Sequence, residues 1–260
     1  MRFYFAFFIL VLAVVSCTSP FDDESIENGS SAGNVVEMAI ENNQIYYTTV
    51  DGNKLSVSNE GTEAFGAYLL TNTYEDGIGL LTFNADVTCI GDKAFRSCRD
   101  LASITLPKSV TSIGERAFEG CSVLTNITLP NSVTNIGERT FERCVALTSI
   151  TIPNSVVLIE EAAFSGCRKL VSITLPNSVT SIGERAFEKC SALTSITISN
   201  SVTCIEKSVF QHCSALASIT IPGNVESIGE SAFSSCYSLT NVTISDGVKN
   251  IGDYAFSSCI

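Results

Sequence analysis

Eight cysteines recur every 23 residues, and thiols at regular spacing could form disulfides, hold a metal ion or supply a nucleophile. They are Cys98, Cys121, Cys144, Cys167, Cys190, Cys213, Cys236 and Cys259. The chain has no Cys-x-x-Cys pair and only one histidine, so the sequence predicts no metal site. Each cysteine follows a phenylalanine by three residues, which favours a buried core position. Disulfides between adjacent repeats are the alternative, and they require Cα separations of about 4.4–6.8 Å.

The residue types present give little support to a hydrolytic site. A Ser-His-Asp or Cys-His arrangement would have to use His212, whose repeat position is held elsewhere by Gly120 and Arg143. Recurrent neighbours such as Glu138 and Arg139 predict solvated ion pairs, each contributing about 0–1 kcal/mol. No Gly-rich phosphate loop occurs. We therefore expect no enzyme activity and no cofactor, unless residues 35–86, which contain neither histidine nor cysteine, form a site.

The 23-residue period predicts a solenoid, in which each repeat buries its apolar face only against its neighbours. One unit, residues 124–144, reads LTNITLPNSVTNIGERTFERC. Alternating apolar and polar residues in its first half predict a short strand that ends at Pro130. The spacing of Ile136, Phe141 and Cys144 predicts a short helical or 3₁₀ turn on the convex side. The expected fold is an α/β solenoid of seven to eight units, with parallel strands on its concave face.

Strand alternation also predicts which side chains point outward from the concave face. One outward column contains Thr105, Thr128, Thr151, Thr174, Thr197, Thr220 and Thr243. The neighbouring column contains Ser103, Asn126, Ser149, Ser172, Ser195, Ser218 and Asn241. This hydroxyl and amide surface suits hydrogen bonding to an extended peptide or a glycan, but it has no aromatic or arginine anchors. The alternative is that threonine recurs there because it favours strands.

The pattern L-x-x-I-x-L-P-x-S-V-x-x-I-G-x-x-A-F-x-x-C resembles the BspA-like leucine-rich repeat family of bacterial surface proteins. The resemblance covers residues 87–260, and serine at positions such as Ser132 stands where the general leucine-rich repeat template has asparagine. We expect these serines to hydrogen-bond the backbone of the turns. The family resemblance implies contact with host extracellular-matrix proteins, host receptors or other cells.

The first 86 residues lie outside the repeat. An apolar run from Phe3 to Val15 predicts a secretory signal peptide over residues 1–16. The segment before Cys17 resembles a bacterial lipobox, which predicts lipidation of Cys17 and a membrane anchor; an ordinary cleaved signal is the alternative. Residues 17–34 are acidic and aperiodic, as expected of a flexible tether. Strand-like runs in residues 35–86 predict a β-rich cap on the solenoid of residues 87–260.

Charge and organisation together narrow the class of protein. The net charge is −12, but residues 89–260 carry fifteen acidic against thirteen basic residues, which excludes the basic surface of a nucleic-acid binder. The leading hypothesis is a non-enzymatic, lipid-anchored surface protein of the bacterial outer membrane that acts in interaction or adhesion. A spacer or scaffold that self-associates at an uncapped C-terminal edge is the alternative. An ice-binding threonine array is a weaker third hypothesis.

Overall fold

A computed structural model of the protein describes residues 40–57 and 64–259. The predicted signal peptide, Cys17 and tether lie outside these residues. Among the described residues, no helix is long and apolar enough to cross a bilayer. The secondary structure consists of short strands joined by turns.

The N-terminal part of the described chain is an antiparallel arrangement of β1 (Gln44–Thr49), β2 (Leu69–Glu75) and β3 (Ile78–Phe83), in the spatial order β2-β3-β1. Gly79 lies directly against Tyr47, because a Cβ at Gly79 would come within 2.0 Å of the tyrosine ring. The Tyr47 hydroxyl donates to Asn72 Oδ1 at 2.6 Å. Strand β1 pairs antiparallel with the first strand of the repeats, so this sheet covers one end of the solenoid.

The repeats form seven coils, which we number from the leucine that begins each one: Leu101, Leu124, Leu147, Leu170, Leu193, Leu216 and Leu239. The first strand of each coil lies on one surface, which we call the strand face. Its strands are β5 (Leu101–Thr105), β7 (Asn126–Thr128), β10 (Ser172–Thr174), β12 (Ser195–Thr197), β14 (Ser218–Ile221) and β16 (Asn241–Ile244). Coil 3 contributes residues 149–152, where Thr151 makes an isolated parallel bridge to Thr128.

After the proline turn, each of the seven coils contributes a two-residue strand to a second parallel sheet, and an eighth such strand precedes coil 1. These strands are β4 (Cys89–Ile90), β6 (Ser112–Ile113), β8 (Asn135–Ile136), β9 (Leu158–Ile159), β11 (Ser181–Ile182), β13 (Cys204–Ile205), β15 (Ser227–Ile228) and β17 (Asn250–Ile251). The isoleucines of β6, β8 and β9 pair with their counterparts one repeat away. The 23-residue period therefore sets the register of both sheets.

A continuous apolar column fills the space between the two sheets and the turns. Its eight phenylalanines run from Phe95 to Phe256, with ring centroids 5.2–5.6 Å apart and ring planes within 17° of parallel. Phe65 of the N-terminal part packs on Phe95 at 5.8 Å and 67°, edge-on rather than stacked. The N-terminal sheet thus covers the end of the phenylalanine column with an aromatic ring.

The prediction of helical or 3₁₀ turns on the convex side is wrong for the described repeats. That segment, which we call the turn side, consists of consecutive turns in which two residues per coil adopt a left-handed backbone, such as Arg116 with φ 54° and Gly120 with φ 73°. Alternate N–H groups close local turns, as in Cys121 N–H to Phe118 O at 3.1 Å. The others donate to the next coil, as in Phe118 N–H to Thr140 O at 2.9 Å. Left-handed residues cannot continue a right-handed helix, so the spacing of buried residues reflects stacked turns.

A glycine before the turn side permits close approach of successive coils. At Gly229, an added Cβ would lie 2.7 Å from the backbone carbon of Glu206, and at Gly252 it would lie 2.6 Å from Glu230 N. Coils 3 and 5 carry Glu160 and Glu206 at this position. Glu160 N–H still donates to Ile136 O at 2.9 Å, whereas the second sheet divides between β11 and β13, immediately before Glu206.

Candidate functional site

The strand face presents both polar columns to solvent. In β7, β10 and β12 an exposed residue, a buried isoleucine and an exposed threonine follow one another. All ten predicted contact residues are exposed, namely Thr105, Thr128, Thr151, Thr174, Thr197, Thr220, Thr243, Ser149, Ser172 and Ser195. The structure therefore brings them together on one surface. Contact between these ten residues and a ligand stays a prediction.

The hydroxyls of the outward threonine column make no intramolecular hydrogen bond within the described residues. Other exposed threonines differ, because Thr148 Oγ1 donates to Thr125 O at 3.3 Å and Thr194 Oγ1 donates to Val171 O at 3.2 Å. At the capped end, Ser103 Oγ shares a 2.7 Å hydrogen bond with Thr48 Oγ1. Coils 2 to 7 thus present a surface whose hydroxyls are available to a ligand.

Charged side chains are absent from the strand-face segments 101–106, 124–129, 147–152, 170–175, 193–198, 216–221 and 239–244. All but one of the ion pairs among the described residues lie instead on the turn side; the exception, Lys249 with Glu226, lies beside the second sheet. Arg139 contacts Glu138 at 2.7 Å and Glu161 at 3.2 Å, and Arg96 contacts Glu119 at 2.9 Å. The strand face is therefore electrically neutral and suits a ligand that recognises hydroxyl and amide groups.

The hydrogen-bonded ladder of the strand face is interrupted between coils 3 and 4. Strands β5 and β7 belong to one sheet and β10 and β12 to another, and no strand pairing joins residues 149–152 to β10. Val171 N–H still donates to Thr148 O at 3.2 Å, so the two coils meet where the strands begin. Beyond that bond no strand pairing joins them. We call this interruption on the strand face the seam.

The seam contains a cleft of about 360 Å³. Its polar lining comes from Ser149, Thr151, Asn154, Ser172 and Thr174. Its apolar lining comes from Ile150, Ile152, Ile173 and Pro176. Four of the ten predicted contact residues therefore line this cleft, whereas Asn154 was absent from the sequence prediction because it lies beyond the strand, after the proline.

A missing hydrogen bond at the proline turn marks the same coil boundary. In coils 1, 2, 3 and 5 the serine two residues after the proline position donates to the preceding repeat, as predicted: Ser109 Oγ to Val87 O at 2.7 Å, Ser132 Oγ to Lys108 O at 2.9 Å, Ser155 Oγ to Val133 O at 2.6 Å, and Ser201 Oγ to Asn177 O at 2.7 Å. Ser178 of coil 4 has no such bond, and its Oγ is the one buried side-chain polar atom without a partner among the described residues. Coils 3 and 4 are thus less closely tied both along the strand and at the turn that follows it.

The cysteine column lies in the core with the phenylalanines. Seven of its eight thiols, from Cys121 to Cys259, donate to a phenylalanine carbonyl of the preceding repeat, as in Cys144 Sγ to Phe118 O at 3.2 Å. No described cysteine forms a disulfide. Burial raises the pKa of Cys144 and Cys190 to about 12, and it raises the pKa of Cys98, at the end of the column, to about 11. Thiols with such pKa values stay protonated near neutral pH and are poor nucleophiles.

The remaining sequence candidates do not assemble into a site. No cluster of three or more metal-binding side chains exists in the part of the chain that the structure describes. His212 has a left-handed backbone with φ 61°, and its N–H donates to Ser234 O at 2.9 Å, so its repeat position belongs to the turn-side ladder. On coil 7, Val242, Ile244, Ile251 and Tyr254 are exposed. Self-association at this edge stays a prediction.

Comparison with known proteins identifies relatives of the repeat region. The family described as BspA type Leucine rich repeat region matches residues 66–156 and 134–260 in six copies. No functionally curated protein gives a significant match.

Several solved bacterial structures resemble the chain. A leucine-rich repeat protein from T. pallidum has 36% identity and a TM-score of 0.56, over 60% of this chain and 73% of that one. A leucine-rich cell surface protein from Faecalibacterium prausnitzii has 34% identity and a TM-score of 0.57, over 68% of this chain and 46% of that one. A leucine-rich repeat protein from Bacteroides ovatus has 28% identity and a TM-score of 0.55, over 72% of this chain and 70% of that one. The chain thus spans less than half of the Faecalibacterium protein.

Proposed function

Because this chain belongs to the BspA-type leucine-rich repeat family, we propose that it is a non-enzymatic interaction protein of the bacterial cell surface that binds ligands through its strand face. Leucine-rich repeats form a protein-interaction architecture, and the related Faecalibacterium protein is described as a cell surface protein. An exported chain anchored through a lipid on Cys17 would present this face outside the cell. Host matrix proteins, host receptors and other cells are the proposed partners.

The observation that carries this proposal is the neutral strand face with its unengaged hydroxyls. Its two columns repeat with the spacing of the coils and include no charged side chain. Multiple weak hydrogen bonds from such a surface can add to a useful affinity when the ligand is extended along the stack. A ligand that spans several coils is therefore favoured over one that occupies a single repeat.

The test uses the purified chain as bait for matrix and serum glycoproteins. We expect saturable capture by the native chain and at least tenfold weaker capture when Thr151, Thr174 and Thr197 are all changed to lysine, because three charges would disrupt the neutral face. The matched control changes Thr134, Thr180 and Thr203 to lysine, since these exposed threonines lie beside the second sheet. Equal loss in both variants, or no capture by the native chain, would refute the proposal.

A further inference from the structure

We propose that the cleft at the seam is a binding site for a neutral sugar unit of a glycan, an inference that rests on the proposed function and specifies its ligand. Three observations mark this boundary within the described chain. Residues 149–152 are not paired with β10, Ser178 Oγ has no partner, and a cleft of about 360 Å³ is lined by residues of both coils. Between coils 5 and 6 the strands are also unpaired, yet Asn224 Nδ2 still donates to Asn200 O across the proline turns.

The lining of the cleft has the chemistry that a sugar ring requires. The hydroxyls of Ser149, Thr151, Ser172 and Thr174 can each donate and accept, and the Asn154 amide adds two donors and an acceptor. The backbone groups that face the seam are not used in a ladder between the two coils. Hydroxyl groups around a sugar ring have the same double capacity, so donors and acceptors on both sides can be matched.

The apolar part of the lining lies beside these polar groups. Pro176, which is half-buried, provides aliphatic surface in the same lining as the Asn154 amide, and such a surface suits the C–H face of a pyranose ring. No charged residue lines the cleft, so a sulfated or acidic glycan gains no ion pair there. Its volume is near the lower end of the range of about 300–1,000 Å³ for ligand pockets, which suits a short glycan segment.

An extended peptide is disfavoured because the coils are held together on two other sides. Ser181 and Ile182 of β11 pair with β9 in the second sheet. On the turn side, Ala162 N–H donates to Glu184 O at 2.9 Å and Phe164 N–H to Ala186 O at 2.8 Å. A peptide strand inserted at the seam would need about 4.8 Å of space on each side, which these bonds prevent. A ligand that enters from the open side as a ring meets no such obstacle.

The test titrates the purified chain with neutral hexasaccharides of glucose, mannose, galactose and N-acetylglucosamine, monitored by saturation-transfer difference NMR and calorimetry. A neutral Gly-Ser-Thr peptide of similar length and a sulfated oligosaccharide form the comparison arms. We expect at least one neutral hexasaccharide to bind. We expect Ser172→Tyr to weaken that binding at least tenfold, because the tyrosine side chain fills the cleft. We expect Thr174→Val to weaken it at least threefold, because this change removes one hydroxyl at constant shape.

Matched controls place the same substitutions outside the strand face. Ser112→Tyr lies at an exposed position of β6 in the second sheet, and Thr134→Val lies at an exposed position beside that sheet; neither should change the affinity more than twofold. The inference is overturned if no neutral hexasaccharide binds, if the sulfated sugar or the peptide binds more tightly, or if seam and control variants weaken binding equally. Protein capture that depends on Thr151, Thr174 and Thr197 without sugar binding would overturn this inference and leave the proposed function standing.

Discussion

At the scale of single residues, each repeated side chain takes its role from the direction in which its strand or turn projects it. Thr151 and Ile150 are neighbours in sequence, yet the threonine is exposed and the isoleucine is 6% exposed. Cys144 recurs with the same period as Thr151 but lies in the core, where its thiol is hydrogen-bonded and its pKa is about 12. The thiol column therefore contributes to stability rather than to chemistry, and it makes the free energy of unfolding depend on pH.

The buried thiols should make the free energy of unfolding fall at alkaline pH. The ordinary thiol pKa of 9.0 is raised to about 12 for Cys144, so the unfolded chain releases this proton at a lower pH than the folded chain. The stabilisation from the protonated thiol is complete below the unfolded pKa and is lost as pH rises above it, by about 1 kcal/mol per thiol between pH 9 and 10. Urea titrations at pH 7, 9 and 10 should show Cys144→Ala reducing this pH dependence by that amount.

The control for this prediction is a core substitution that leaves every thiol in place. Ile136→Val removes one methylene from a fully buried side chain and should lower stability equally at pH 7 and pH 10. If Cys144→Ala retains the full alkaline loss of the parent chain, the thiol is not buried as described.

At the scale of elements, the turn side replaces the predicted helix with a second means of linking coils. Within each coil, N–H groups that would point along a helix are turned outward toward the next coil, as at Arg116, whose N–H donates to Glu138 O at 2.9 Å. Equivalent bonds cross all six boundaries between the coils and also join coil 1 to the segment before it, from Lys93 N–H to Glu115 O at 2.8 Å through Ser235 N–H to Ser257 O at 2.8 Å. The turn side is thus the continuous ladder of this solenoid, whereas the strand face and the second sheet are both interrupted.

The glycine that precedes the turn side should be intolerant of a side chain. Gly229→Ala places a Cβ 2.7 Å from the Glu206 backbone, so we expect a loss of about 1–3 kcal/mol in the free energy of unfolding. Gly223→Ala is the matched control, because the nearest atom to its Cβ would be Ser245 Cβ at 3.7 Å; it should change stability by less than about 0.5 kcal/mol. Urea unfolding of both variants tests the difference, and equal effects would contradict the close approach of the coils.

The repeat made most of the solenoid predictable, because a strict period specifies register, burial and outward columns together. The positions of Ile127, Phe141 and Thr128 follow directly from alternation and spacing. The turn-side conformation was not predictable, since apolar spacing alone cannot distinguish a helical turn from turns with left-handed residues such as Arg139. The seam was also hidden, because coils 3 and 4 have nearly the same strand sequences as their neighbours.

At the scale of the whole molecule, three ladders hold the coils, and no boundary loses all of them. The second sheet is interrupted between β11 and β13, where the strand face remains paired through β10 and β12. The strand face is interrupted at the seam and between coils 5 and 6, where the second sheet remains paired through β9 and β11 and through β13 and β15 respectively. The turn-side ladder crosses all three boundaries. Two neighbouring coils can therefore open on one side while the remaining ladders hold them together. Opening at the seam would expose the proposed binding surface, because the seam lies on the strand face.

Amide hydrogen exchange should show which parts of each coil boundary open most readily, as differences in the protection of single amides. Backbone amides of residues 149–152 have no ladder to coil 4, so we expect them to exchange at least tenfold faster than those of Ser195–Thr197, which are paired with β10. The Phe164 amide, which donates to Ala186 O at 2.8 Å across the same coil boundary, should be among the slowest. Mass spectrometry of peptic fragments, with NMR for single amides, gives both rates in one preparation.

Equal protection of the strand-face segments of coils 3 and 5, or faster exchange on the turn side than at the seam, would show that the coils separate as rigid units. The opposite order, together with slower exchange of residues 149–152 when a neutral hexasaccharide is bound, would tie the local opening to ligand recognition.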